Sequence, residues 1–333
     1  MTLQEQLQHK IDFKTKPLGS LGRLEALALQ IGMVQQTTSP RICNPAMLVF
    51  AADHGIADEG VSPYPKDVTW QMVMNFCSGG AAINVFTGQN NWELQVIDAG
   101  VDYDFPNNLP IEYRKIRKGS RNMYREPAMT ADECRQAMDL GAAMVLKKAG
   151  NGCNTIAFGE MGIGNTSASS LLMHKFTGLS IEECTGRGAG LDDAQLDKKT
   201  LLLKEIASKY QANTPEEILA TFGGLEIAAI VGAFLEAKKQ NMLILVDGFI
   251  ASAAALTASK MDVEILSNCV FCHQSDEKGH QLLMESMNAK PLLNLGFRLG
   301  EGTGAALALP IVRAAVAFLN EMASFDDAGV SNK

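Results

Sequence analysis

Three glycine-rich segments hold most of the residues in this sequence that could do chemistry. GEMGIGNTS (Gly159–Ser167) lies between an apolar run and an Ala/Ser/Leu stretch. Glycines let a backbone approach a ligand closely, and a helix N-terminus offers unpaired N–H groups to a phosphate. The segment is neither a Walker A loop, lacking Gly-Lys-Ser/Thr, nor a full G-x-G-x-x-G. Anion binding and a plain turn capped by Asn165 or Thr166 are both open. In TGRGAGLDDAQLDKK (Thr185–Lys199), Asp192-Asp193 reads either as a magnesium–pyrophosphate pair or as first-turn acids on a helix dipole. Lys198 and Lys199 are either solvated charges or phosphate partners. RLGEGTGAALALP (Arg298–Pro310) isolates one carboxylate, Glu301, between Gly300 and Gly302. Partial desolvation there would raise its pKa toward that of a useful general base; the alternative is a helix-start acid serving the dipole.

Two shorter strings carry less. NCVFCH (Asn268–His273) has the form of a c-type haem attachment, but that chemistry belongs to exported proteins, and MTLQEQLQHKIDFKTK has no apolar signal region. A zinc reading would need further ligands beyond His273 and His280. Asp53-His54 resembles a metal pair but reads better as a hydrogen-bonded couple at a strand end. No G-x-S-x-G elbow is present, which argues against an α/β-hydrolase. The seven cysteines, odd in number and scattered, read as reduced thiols of a cytoplasmic protein. A net charge of −8 argues against nucleic acid or an anionic membrane surface as partner. Met242–Met261 is interrupted by Asp247-Gly248. Ala305–Leu319 is shorter than the ~20 residues of a membrane span and is expected to break at Pro310 and Arg313.

The elements that must position these residues alternate between short apolar runs and longer Ala/Leu/Met-rich segments, the pattern of a parallel α/β sheet. Strands are expected at Ala46–Ala51, Leu94–Asp98, Thr155–Phe158, Met242–Val246 and Val263–Leu266. Helices are expected at Asp132–Lys148, Asn165–Phe176, Leu196–Tyr210, Thr214–Ala220 and Gly224–Lys239. Polar and glycine residues follow the strands: Asp53-His54-Gly55, Ala99-Gly100, Gly159–Thr166 and Asp247-Gly248. A site at the carboxyl edge of the sheet follows. The chain ends read as helix without strands. This gives a large α/β domain over residues 40–300 and a smaller helical one over 1–39 and 301–333, with a frayed polar tail from Asp326.

Taken together, the segments resemble one family, the nicotinate-nucleotide–dimethylbenzimidazole phosphoribosyltransferases. The matching stretches are KPLGSLGRLE (Lys16–Glu25), AADHGIADEGVSPYPKDVT (Ala51–Thr69), GGAAINV (Gly79–Val85), GEMGIGNTS, GRGAGLD, VDGFIAS (Val246–Ser252), HQSDEKGH (His273–His280) and RLGEGTGAALALP, in family order over nearly the whole chain. The resemblance implies a Rossmann-like parallel sheet with helices on both faces, and a small helical domain built from both termini. It also implies a homodimer. The implied reaction converts nicotinate mononucleotide and 5,6-dimethylbenzimidazole into α-ribazole 5′-phosphate and nicotinate, without metal or cofactor. Carried over residue by residue, Glu301 is the general base. Glu160, Gly162, Ile163, Gly164, Asn165, Thr166, Gly188 and Lys199 hold the nucleotide; Asp247 lies at the ribose, and Arg298 reaches the phosphate site of a partner subunit. Tyr64, Met72, Met161 and Leu299 face the benzimidazole. Tyr64 stands where some members have a small hydroxyl residue, and Met72 where some have Gln. The alternatives are a magnesium-dependent transferase using phosphoribosyl pyrophosphate, resting on Asp192-Asp193, and a binding protein without turnover, against which Glu301 argues.

Overall fold

A computed structural model describes residues 1–331. Strands β1 (Ala46–Ala52), β2 (Glu93–Gly100), β3 (Ile111–Tyr113), β4 (Thr155–Met161), β5 (Leu243–Val246) and β6 (Cys269–Phe271) form one sheet in the order β3-β2-β1-β4-β5-β6. Every pairing is parallel. All seven residues of β1 are buried, because helices cover both faces, which is why AMLVFAA reads as an unbroken apolar run. Alternate residues serve alternate cores. Leu48 and Phe50 pack with the helices Ala131–Gly150, Asn165–Thr177, Leu225–Lys239 and Phe249–Met261. Met47, Val49 and Ala51 pack with Leu3–Asp12, Arg23–Val34, Val68–Cys77 and Thr303–Glu321.

The two chain ends meet. Lys10 Nζ donates to Asn320 Oδ1 (3.2 Å), and Lys14 Nζ to the Met322 carbonyl (2.5 Å). Leu7, Ile11, Leu27 and Ile31 share one apolar cluster with Leu309, Val312 and the sheet residues Leu243 and Leu245. The terminal helices are therefore a layer with its core against the sheet. Part of the tail expected to fray is instead a short helix, Phe325–Ala328, whose capping Ser324 accepts from the Asp327 N–H. Asn332 and Lys333 lie outside the described residues.

Two expectations fail for local reasons. Val263–Leu266 is part of a 3-10 helix, Val263–Asn268, and the edge strand follows it at Cys269–Phe271. The Asp262 side chain caps the helix at the Glu264 N–H (3.1 Å), Lys238 bridges Asp262 and Glu264, and Val263 is exposed. Pro310 does not end its helix, which runs unbroken over Thr303–Glu321. A helical proline frees the carbonyl four residues earlier. Here that carbonyl, of Ala306, accepts from Asn90 Nδ2 (3.1 Å) and Trp92 Nε1 (3.4 Å). Among the described residues this is the one helix long and apolar enough to cross a membrane, and its buried side packs on β4 and β5.

Small residues let the helices Ala131–Gly150 and Leu225–Lys239 cross in backbone contact. A Cβ on Gly141 would overlap the Ala229 carbonyl oxygen, and one on Gly232 the Met138 carbonyl oxygen. Gly141→Ala is expected to lower stability by about 1–3 kcal/mol through overpacking. Urea unfolding checks this, and an unchanged midpoint would show that the crossing yields without cost.

Candidate active site

The chain crosses over between β1 and β4, the point in an open sheet of this order where ligands bind beyond the carboxyl ends of the strands. A cleft of about 410 Å³ opens on that side, beyond β4, β5 and β6. Its floor is acidic. Glu301 sits in a turn of three successive left-handed residues, with φ +84° at Gly300, +64° at Glu301 and +91° at Gly302. The flanking glycines are required by space as well as by φ, since a Cβ at 300 would overlap Glu160 Oε1 and one at 302 would press on Met47 Sδ. Glu301, lacking that freedom, holds a conformation costly for its type.

Asp247, at the end of β5, pins this turn. Its Oδ2 accepts from the Gly302 N–H (3.1 Å), and its Oδ1 from those of Gly304 (2.6 Å) and Ala305 (3.1 Å). The carboxylate thus caps the helix Thr303–Glu321 from a distant segment. Both its oxygens are already engaged by backbone, so the place the resemblance implies for it at the ribose is shared with a structural duty. Burial pushes its pKa up, while the three amides and His273 pull against that. His273 lies 3.7 Å away and stacks on Phe297.

Burial also acts on the two glutamates. Glu301, 5% exposed, is pushed up to about 7 by desolvation and the nearby Asp247 charge, opposed by the Ile83 N–H that donates to its Oε2 (3.4 Å). Glu160, hydrogen-bonded by Asn165 Nδ2, is pushed up to about 8 by desolvation, then by the charges of Glu226 and Asp247. A carboxyl poised near neutrality is what a general base needs.

At one end of the cleft Thr166, Gly188, Ser275, Glu277 and Arg298 converge. Lys199 lies behind them, buried, its Nζ donating to Thr166 Oγ1 (3.0 Å) and the Gly186 carbonyl (3.3 Å). Desolvation lowers its pKa to about 8, with the Glu277 charge opposing. Arg298 Nη1 donates to the Gly188 carbonyl (2.5 Å) of its own chain, so here the guanidinium is turned toward its own cleft. Gly162, Ile163 and Gly164 form the turn between β4 and the helix Asn165–Thr177; Gly162 and Ile163 line the cleft, and Gly164 packs against His54. The other end is apolar: Tyr64, Val68, Met72, Met161 and Leu299, with Tyr64 and Leu299 half-exposed at the mouth.

Asp192 caps the helix Asp193–Lys209 by accepting from the Gln195 N–H (2.8 Å), and Asp193 pairs with Arg187, so the first-turn reading describes both acids. Asp53 and His54 are not a couple: Asp53 Oδ2 accepts from the Asp102 N–H (2.7 Å), and His54 Nε2 lies 2.6 Å from Glu226 Oε1, both side chains fully buried. That His–Glu pair supports the turn from below, where a Cβ on Gly162 would reach both. Cys269 and Cys272, three residues apart on extended chain, face opposite cores and cannot jointly hold a metal or haem. Sequence reasoning missed Glu226, whose partner is 172 residues away, and Glu277; the segment HQSDEKGH carried a signal for the latter only as part of the resemblance.

A doubly wound parallel sheet with glycine turns, a buried lysine and poised carboxyls around one cleft is the architecture of an α/β enzyme acting on small molecules. A sequence profile described as phosphoribosyltransferase matches residues 1–330. The chain is 55% identical, over 99% of its length and 96% of the relative's, to a protein of Dechloromonas aromatica named nicotinate-nucleotide–dimethylbenzimidazole phosphoribosyltransferase. It is 54% identical to one of the same name from Cupriavidus taiwanensis, over 99% and 95%. Two crystal structures from Thermus thermophilus superpose closely: CobT, with TM-score 0.96 at 39% identity over 99% of each chain, and nicotinate-nucleotide-dimethylbenzimidazole phosphoribosyltransferase, with 0.95 at 38% over 100% of each. The chain belongs to the nicotinate-nucleotide–dimethylbenzimidazole phosphoribosyltransferase family.

The raised pKa of Glu301 has a thermodynamic consequence. An unfolded glutamate titrates near ~4.3, whereas the folded protein holds this proton up to about 7. The folded state binds the proton more tightly, so the stability it contributes is full below ~4.3 and is lost as pH rises toward 7. Glu301→Gln, which cannot ionise, is expected to exceed the wild type in stability at pH 8 by about 1–3 kcal/mol. The gap should shrink at pH 5.5. Urea unfolding at the two pH values measures it, and an equal gap at both would rule out a buried, ionising Glu301.

Proposed function

We propose that this protein moves the 5-phosphoribosyl group of nicotinate mononucleotide to 5,6-dimethylbenzimidazole with inversion, giving α-ribazole 5′-phosphate and nicotinate, a step in assembling the nucleotide loop of cobalamin. The observation that carries the reading is Glu301, a desolvated carboxyl in a cleft with apolar residues at one end and polar ones at the other.

The roles proposed here are those the family resemblance implies, and the lining of the cleft supports them. The mononucleotide lies along Gly162–Thr166, its phosphate toward the Gly188 N–H, Thr166 and Lys199, and Glu160 faces the sugar. The benzimidazole lies between Met72, Met161 and Leu299, with Tyr64 and Val68 closing its outer side. One ring nitrogen attacks C1′ from the face opposite nicotinate, which inverts the β-nucleotide. Glu301 takes the proton of the other nitrogen as the new bond forms, so the product is not left cationic. Nicotinate departs from a positively charged pyridinium and needs little acid assistance. Because no pyrophosphate leaves, the chemistry calls for no metal or redox cofactor. Asp247 acts as a positioning residue, keeping the Glu301 turn in place through the helix start. The reading extends to a homodimer working in the cytoplasm on these small molecules, as the family resemblance implies.

The test is an incubation with nicotinate mononucleotide and 5,6-dimethylbenzimidazole in excess chelator, with α-ribazole phosphate followed by chromatography and mass. Product is expected. No product, with activity restored by magnesium and phosphoribosyl pyrophosphate, would move the assignment to a different transferase. Glu301→Gln is expected to lose turnover by about 10²- to 10⁴-fold while still binding the mononucleotide. The wild-type kcat/KM should rise with pH through an inflection near 7, as the base loses its proton. Near-wild-type turnover in the variant would remove Glu301 from the base role.

A further inference from the structure

One carboxylate in the cleft takes no part in this reaction and occupies the place least suited to a negative charge if a phosphate is to bind there. Glu277, in the segment after β6, is 7% exposed, and its Oε1 accepts the Gly188 N–H at 3.0 Å. The fit is close: a Cβ on Gly186 would overlap that same oxygen. Around Gly188 the other donors gather. A Cβ at this position would stand 3.1 Å from Thr166 Oγ1 and 3.7 Å from Lys199 Nζ. Lys199 is wholly buried, and its ammonium donates only to neutral oxygens, of Thr166 and Gly186. A backbone N–H, a hydroxyl and a desolvated ammonium form the donor set of a phosphate monoester site. The anion already holding the Gly188 N–H is Glu277.

We propose that Glu277 is a built-in competitor for the phosphate subsite, setting how tightly the protein holds the phosphate of its nucleotides. The inference rests on the reaction proposed above and deepens it. Before a nucleotide binds, the carboxylate keeps the Gly186–Gly188 loop in its binding conformation and faces the buried lysine. When a mononucleotide enters, its phosphate takes over the Gly188 N–H, and the Glu277 side chain rotates off toward the mouth of the cleft. Substrate and product carry the same 5′-phosphate, so one displaced carboxylate weakens both complexes alike. Such uniform weakening costs affinity but eases departure of the product.

A structural latch and a competing anion make opposite predictions for Glu277→Gln. Glutamine keeps the shape and an acceptor oxygen for the Gly188 N–H but has no charge. Titration calorimetry with inorganic phosphate, nicotinate mononucleotide and phosphate-free nicotinate riboside separates them. In the variant, phosphate and mononucleotide are expected to bind on the order of tenfold tighter, with the riboside unchanged. In steady state the KM for mononucleotide falls, and product inhibition tightens with it. Glu277→Asp, too short to reach the Gly188 N–H, is expected to tighten mononucleotide binding by less, and it serves if the Gln variant does not fold. Equal or weaker binding of phosphate and mononucleotide in both variants would overturn the proposal. If inorganic phosphate tightens while the mononucleotide binds neither wild type nor variant, the role of Glu277 stands and the proposed reaction fails.

Discussion

The carboxylate of Asp247, with three backbone N–H groups donating to it, is the interaction on which the cleft depends. It joins the end of β5 to the start of the helix Thr303–Glu321, two segments more than fifty residues apart in sequence. A buried carboxylate without partners would be costly, and a helix start without acceptors would leave its N–H groups orphaned. Each deficiency is met by the other. The connecting turn must then pass through three left-handed residues, and Glu301 is carried at its crest. The strain at that residue is sustained because the surrounding contacts leave the turn no alternative.

The same desolvation acts in two directions around that turn. It raises the carboxyls of Glu160, Glu301 and Asp247 and lowers the ammonium of Lys199, moving acids and base toward neutrality together. A site assembled this way is unfavourable for folding and useful for proton transfer. The large apolar clusters on both sides of the sheet supply the stability that lets it persist.

The sequence made the central strands legible because burial on both faces turns them into continuous apolar runs. The helix Pro215–Phe222 matches the expected segment Thr214–Ala220, and Thr214 caps it by accepting from the Glu217 N–H. The strand β3 escaped notice because three residues carry too little pattern. Val263–Leu266 misled because its apolar residues match a strand while a side-chain cap and a lysine bridge hold it helical. In the cleft, the glycine-flanked Glu301 and the strand-end loops were readable as local signals. The partners of Asp247, His54 and Glu277 were not. Their hydrogen bonds run to residues distant in sequence, and no spacing rule links Asp247 to Gly304 or His54 to Glu226.

The carbonyl released at Ala306 by Pro310 turns a bond internal to a helix into an anchor outside it. Asn90 and Trp92 belong to the segment leading into β2, so the backbone that follows the Glu301 turn is moored to the chain entering an inner strand of the sheet. An ordinary helix can slide or rotate slightly on an apolar surface, since dispersion contacts are tolerant of small shifts. Such a shift near the start of this one would strand the Ala306 carbonyl and the Trp92 indole N–H in a dry interior. Proline here works as a register pin: by withholding one N–H, it fixes the rotation of the helix, and with it the direction in which the turn before it points its carboxylate.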